Sequence, residues 1–214
     1  MANNVLLLGG SFNPPTIAHA DLATQALEII QNRRAGRCEL WFLPSYYSVF
    51  DKSTSVSMEH RLNMLDIVVH EIIRHPAICV SKYAVEQCNN AGPYAVVRSL
   101  IRNYPGVSFT YVIGSDHAQE IRQWRKSRDL VKTIPFIVVN RAGVWNHSGI
   151  YWHKDKPHIY IKKTLTSDRV SSFQVRGDLG DGFKRESFSS KLHPMLHPRI
   201  QQYIYDNNLY RSTG

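Results

Sequence analysis

"VLLLGGSFNPPTIAH", residues 5–19, decides how the chain is read. Four apolar residues run into Gly9 and Gly10, as a short buried strand that stops at glycine would. Apolar residues at helical spacing then begin in "AHADLATQALEIIQNR", residues 18–33. A plain strand-to-helix turn needs only a glycine and a cap. This one is longer, with Pro14 and Pro15 to stiffen it and His19 in the first helical turn. Gly9 and Gly10 would let the backbone pass close to a ligand. A helix start presents free N–H groups and the positive end of its dipole, which suits an anion. His19 could donate to a phosphate oxygen, and the Thr16 hydroxyl, one turn away, could donate to the same group. The stretch fits neither GxxxxGK[ST] nor GxGxxG. On physics alone a structural turn with a capping histidine competes evenly with a phosphate site.

The pattern repeats along the chain. "CELWFLPS" (38–45), "AICVSKY" (77–83), "VSFTYVIGSD" (107–116) and "PFIVVNRAG" (135–143) read as strands. "SMEHRLNMLDIVVHEII" (57–73), with Ser57 at its cap, "PYAVVRSLIRNYP" (93–105) and "AQEIRQWRKSRDLVKT" (118–133) read as helices between them. A further strand is expected near "HIYI" (158–161), a helix from "SSFQVRGDL" (171–179), a surface loop over 177–190 and a terminal helix in "PRIQQYIYDNNLY" (198–210). Alternating strands and helices imply βαβ units, hence an α/β protein with a doubly wound parallel sheet. Such sheets bind ligands outside the carboxyl ends of their strands. The polar clusters Gly9–His19, Pro44–Lys52, Gly114–Asp116 and Arg141 all fall at such ends. The expected organisation is one domain over 1–214, with a small helical part from about residue 170.

With 214 residues and 43% hydrophobic content, the chain can bury a sizeable core. Its formal charge of +9 favours anionic partners without choosing among them. The basic groups, such as "RQWRKSR", are scattered, so no nucleic-acid partner is expected. Three cysteines with no close pair argue against a disulfide framework or a CxxC site. With neither a signal peptide nor a long apolar segment, the expectation is a cytoplasmic protein without a membrane partner. Histidines 147, 153, 158, 193 and 197 match no metal-ligand spacing, and no protein-held metal is expected. The aromatics of 144–163 are compatible with either core packing or a homo-oligomer surface.

"GGSFNPPTIAH" resembles the GGxFxPx(H/T)xGH signature of the nucleotidylyltransferase superfamily. "VSSFQVR" (170–176) is similar to its second signature, (I/V)SSTxxR. Within that superfamily "FLPSYYSVFDKSTSVSMEHRLNML", "IGSDHAQEIRQWRKSRDLVKTIPFIVVNRAG" and "LHPRIQQYIYDNNLY" resemble the nicotinate/nicotinamide mononucleotide adenylyltransferases. The resemblance covers nearly the whole chain. It implies a Rossmann-like sheet of nucleotidylyltransferase type, with ATP and a pyridine mononucleotide as partners and Mg²⁺ as cofactor. It implies catalytic roles for His19, Thr16 and Arg176. ATP contacts would come from Gly9, Gly10, Ser11, Phe12, His19, Gly114, Asp116, Ser171, Ser172 and Arg176. In these roles His19 stabilises charge at the α-phosphate, Asp116 accepts from the ribose, and Arg176 with the two serines holds the β- and γ-phosphates. The mononucleotide would meet Asn13, Lys52, Trp124 and Arg141, with Lys52 on its phosphate and Trp124 stacked on its pyridine. Three positions depart from the pattern: Ala18 for glycine, Phe173 for threonine, and Val96 where a threonine usually lies near the pyridine's acid group. Another adenylyl- or cytidylyltransferase, such as one acting on phosphopantetheine, and a non-catalytic nucleotide-binding protein are the alternatives.

Overall fold

A computed structural model describes residues 4–33, 36–45, 56–88, 91–141, 152–162, 170–180 and 195–210. Six strands form one parallel sheet: β1 (Asn4–Gly10), β2 (Cys38–Pro44), β3 (Ile78–Val80), β4 (Ser108–Gly114), β5 (Phe136–Val139) and β6 (Ile159–Ile161). Their order is β3-β2-β1-β4-β5-β6, and every neighbouring pair is parallel. The winding direction reverses between β1 and β4, so a crevice opens there at the carboxyl ends of the strands.

Alternation along β1 assigns its two faces. Leu6 and Leu8 join one core cluster, and Val5 and Leu7 join the other. On the first face lie α1 (Ile17–Gln31), α2 (Met58–Ile67), α7 (Ser172–Gly180) and α8 (Pro198–Asp206), contributing residues such as Ala26, Met64, Val175 and Ile204. The second face is covered by α4 (Pro93–Asn103), α5 (Ser115–Glu120) and α6 (Ser127–Thr133), through residues such as Val97, Ala118 and Leu130. A short α3 (Tyr83–Gln87) follows β3. Both faces of the sheet are therefore buried, as its continuous apolar strands require. No helix among the described residues is long and apolar enough to cross a membrane.

Most elements lie where the periodicity puts them, and Ser57 caps α2 by accepting from the His60 N–H at 3.3 Å. Three expectations need correction. Tyr83, read as the end of a strand, opens α3 instead. The single helix expected over 118–133 is three pieces: α5, a 3₁₀ turn at Ile121–Gln123, and α6. Trp124 between them is extended and buried, packed edge-on against Tyr111 at 5.9 Å, and Lys126 is left-handed at φ 56°. Burial of one large ring overrides helical propensity here. Of the loop read over 177–190, residues 177–180 belong to α7 and the remainder lies outside the described residues.

Gly9 has a packing reason to be glycine. A Cβ there would overlap the Tyr111 hydroxyl oxygen. Gly9→Ala should therefore cost about 1–3 kcal/mol of stability by overpacking. Adding Tyr111→Phe should recover part of that loss. Denaturant midpoints of the single and double variants test the pair, and an unchanged Gly9→Ala midpoint would refute the constraint.

Candidate active site

The loop between β1 and α1 is buried over residues 12–16. Phe12, Asn13, Pro14, Pro15 and Thr16 are all inside the protein. A buried loop must find partners for its backbone polar groups. Pro14 and Pro15 carry no N–H and so reduce the demand for acceptors. The carbonyls are met from a distance. Arg61, itself buried on α2, donates from Nη1 to Ser11 O at 2.9 Å and to Ser45 O at 2.7 Å. Ser172 Oγ donates to Pro14 O and Arg176 Nη1 to Asn13 O, each at 2.7 Å. The Tyr210 hydroxyl donates to Asn13 Oδ1 at 2.6 Å, and Ile17 N–H donates to Met195 O at 3.2 Å. Both ends of the chain thus converge on one loop.

His19 stands at this loop, in the first turn of α1. Thr16 N–H donates to His19 Nδ1 at 3.0 Å, and Thr16 Oγ1 lies 2.8 Å from the same nitrogen. A backbone N–H can only donate, so Nδ1 must accept, and the neutral ring carries its hydrogen on Nε2. Phe12, held at φ 48°, packs edge-on against the imidazole at 5.1 Å and against Phe42 at 5.5 Å. Burial, then the charges of Arg141 and His117, push the His19 pKa down to about 4. Near neutral pH, His19 is an uncharged N–H donor of set tautomer. Thr16 sets its orientation and is itself buried.

Across the crevice, Asp116 follows the carboxyl end of β4. Arg141, just beyond β5, donates to Asp116 Oδ2 at 2.5 Å and to Val170 O at 2.7 Å, while its backbone N–H donates to Ser115 Oγ at 3.0 Å. His117 Nδ1 lies 3.4 Å from Asp116 Oδ1. Burial alone would raise the Asp116 pKa. The hydrogen bond and charge of His117, then Arg141, outweigh it and hold the carboxyl well below its ordinary range. A Cβ at Gly114 would overlap Asp116 Oδ1, so that glycine serves the ion pair.

The structure brings His19, Thr16, Asp116, Arg141, Ser171, Ser172 and Arg176 to one end of the sheet. It also changes what several of them touch. Asn13 is 2% exposed, with its Oδ1 occupied by Tyr210. Phe12 supports the His19 ring from below, and a Cβ at Gly10 would meet the Phe12 ring at 3.2 Å. Ser171 Oγ accepts from Gln174 N–H at 3.1 Å and caps the start of α7. Trp124 is 7% exposed, and its indole N–H has no hydrogen-bond partner among the described residues. Val96 is buried in the same apolar core cluster as Trp124. Phe173 projects into solvent and lies under the Arg176 guanidinium at 5.8 Å, and Ala18 packs in the core. Lys52 lies outside the described residues.

Sequence reasoning missed Arg61, Tyr111, His117 and Tyr210. Arg61 left a signal. It sits on the buried stripe of α2 with Met64 and Leu65, continued by Val68 just after the helix, where a charge is out of place. Tyr210 left none, because its partner is 197 residues away.

The His19 assignment has a pH consequence. An unfolded histidine binds a proton below about pH 6.5, whereas His19 in the folded protein binds one only below about 4. Between those values the unfolded state holds more protons, so folding stability rises with pH. His19→Gln should remove on the order of 2 kcal/mol of that rise, after discounting for partial exposure of the ring. Unfolding free energies at the two ends of the window measure it, and equal slopes in both proteins would contradict the assignment.

Comparison with known proteins places this geometry. A relative from Bacillus mycoides (strain KBAB4), described as a probable nicotinate-nucleotide adenylyltransferase, is 28% identical over 210 residues, covering 96% of this chain and 97% of its own. A protein of the same description from Listeria innocua is 25% identical over 98% of both chains. The structure of Plasmodium falciparum nicotinic acid mononucleotide adenylyltransferase complexed with NaAD is 25% identical, with a TM-score of 0.73 over 97% of each chain. The six-stranded parallel sheet matches that architecture, as the sequence resemblance implies. The cytidylyltransferase-like family model matches residues 7–178, which include both signature stretches, the end of β1 and all of β2 to β6, and the chain belongs to that family.

Proposed function

We propose that this chain is a nicotinate-nucleotide adenylyltransferase, which joins AMP from ATP to nicotinate mononucleotide and releases pyrophosphate, a step of NAD biosynthesis. The observation that carries the reading is the end-to-end likeness to a protein complexed with NaAD, the product of such a transfer. In the reaction, a phosphate oxygen of the mononucleotide bonds to the α-phosphorus of ATP as the bond to the bridging β-phosphate oxygen breaks. That phosphate is already an adequate nucleophile near neutral pH, so alignment and charge stabilisation carry the catalysis.

His19 suits the α-phosphate, with Nε2–H as its donor and Thr16 setting its orientation. Arg176 and the capped start of α7 at Ser171 and Ser172 suit the β- and γ-phosphates. Asp116 and Arg141 face the substrates from the β4 and β5 side, and Lys52 is assigned to the mononucleotide phosphate. Among the described residues, no group of three or more His, Cys, Asp or Glu is placed to hold a metal ion. Mg²⁺ is assigned to the phosphates of ATP because it would neutralise charge on the leaving pyrophosphate there.

The acid group of nicotinate needs donors. Val96 supplies none from its side chain, so backbone N–H groups beside Trp124 are assigned that task. Nicotinate mononucleotide should be preferred over the amide, though less strongly than with a dedicated hydroxyl donor.

Pyrophosphate release with ATP, Mg²⁺ and a panel of acceptors tests the activity. Release with phosphopantetheine alone, or with no acceptor, would overturn it. A tenfold preference for the amide in kcat/KM, about 1.4 kcal/mol, would reverse the acceptor assignment. His19→Ala should lower kcat on the order of 10²-fold while changing ATP binding less. Steady-state kinetics and equilibrium ATP binding separate the two effects.

A further inference from the structure

The crevice contains a second imidazole that the mechanism above leaves unused. His117 lies in the first turn of α5, directly after β4, at the point where the winding reverses. Its side chain is 46% exposed, unlike most groups around it. Its Nδ1 faces the Asp116 carboxylate, 3.4 Å from Oδ1. The ring also packs edge-on to Trp124, with centroids 6.5 Å apart. Nε2 is on the far edge of an imidazole from Nδ1, so a carboxylate holding Nδ1 turns Nε2 away from itself.

The charged groups around His117 come from three directions. Asp116 and Glu120 lie on its own helix, Arg141 follows β5, and His19 faces it from α1. Burial and Arg141 oppose a charge on the ring. The bond and charge of Asp116, helped by Glu120, outweigh them and raise its pKa above the ordinary histidine value. His19 is shifted the other way. The two rings are therefore shifted in opposite directions: His19 is a neutral donor near neutral pH, and His117 keeps its proton to higher pH than an ordinary histidine.

We propose that His117 is a phosphate-binding residue of this crevice, giving an anionic substrate a charge-assisted hydrogen bond from Nε2 while Asp116 holds Nδ1. The inference rests on reading the crevice as a site for phosphate-bearing substrates. It adds a contact that strengthens binding below neutral pH and fades as the ring loses its proton. Because the contact forms with bound substrate as well as in the transition state, it should act on KM more than on kcat.

The test is binding of ATP and of inorganic pyrophosphate to the full chain at about pH 6 and about pH 8.5, which bracket histidine titration. A charge-assisted hydrogen bond predicts that His117→Asn binds about tenfold more weakly than wild type at the lower pH, and about equally at the higher. The phosphates titrate identically with either protein, so the difference between the two profiles isolates the ring. His117→Gln should behave like His117→Asn, and both should raise KM with little change in kcat. Wild-type protein gives an independent reading by NMR: pyrophosphate should raise the pH at which the His117 imidazole titrates. Variants with the wild-type affinity and pH slope, or an imidazole whose titration ignores pyrophosphate, would overturn the proposal. Failure of the adenylyl-transfer reading would appear instead in the acceptor panel, with pyrophosphate binding and its pH difference intact.

Discussion

A buried loop needs partners for its carbonyls, and much of this structure answers that need. Residues 12–16 run through the interior at the end of the central strand, where water cannot satisfy them. The donors that reach the loop come from three parts of the chain: Arg61 from α2, Ser172 and Arg176 from α7, and Tyr210 from beyond α8. These contacts span up to 197 residues. The loop cannot take this shape until those elements have docked, and the elements gain part of their reason to dock from the loop. The two signature stretches, far apart in sequence, are thereby one physical unit.

The same constraint tunes the chemistry. Phe12, forced inward by the loop, forms the floor beneath His19. The first N–H groups of α1 are divided between structure and site: Ile17 N–H goes to Met195 O, while Thr16 N–H is spent on His19 Nδ1. That second bond selects the tautomer and aims Nε2–H. Desolvation then keeps the ring neutral. A neutral donor leaves the resting site with less charge to solvate, and charge balance passes to the opposite wall. There Asp116 is held by Arg141 and His117. The site thus has a neutral imidazole on the β1 side and an ion-paired carboxylate on the β4 and β5 side.

Glycines in this site serve packing within the protein. Gly9 clears the Tyr111 hydroxyl, and Gly114 clears the Asp116 carboxylate. Tyr111 in turn packs against Trp124 and Phe136, so the β1 end of the crevice is braced through the second core layer. Trp124 interrupts what would otherwise be one long helix because its ring belongs to that layer. The departures from the superfamily pattern read differently in three dimensions. Val96 and Ala18 are core residues, and Phe173 lends its exposed ring to Arg176.

Local periodicity was enough to determine the α/β class and the parallel sheet, and to put the polar clusters at the carboxyl ends of its strands, because alternation and helical spacing are properties of neighbouring residues. The resemblance of "GGSFNPPTIAH" and "VSSFQVR" to the two superfamily signatures singled out His19, Ser171, Ser172 and Arg176 as candidates. Only tertiary structure decided what those residues touch. Neither the burial of the loop, nor the Thr16 bond that sets the His19 tautomer, nor the Arg141 and His117 contacts of Asp116 can be read from spacing. Each depends on surfaces brought together from distant parts of the chain. Desolvation follows the same rule, since an imidazole is shifted by everything packed around it. Two histidines of identical chemistry, His19 and His117, therefore acquire opposite pKa shifts from surroundings that the linear sequence does not record.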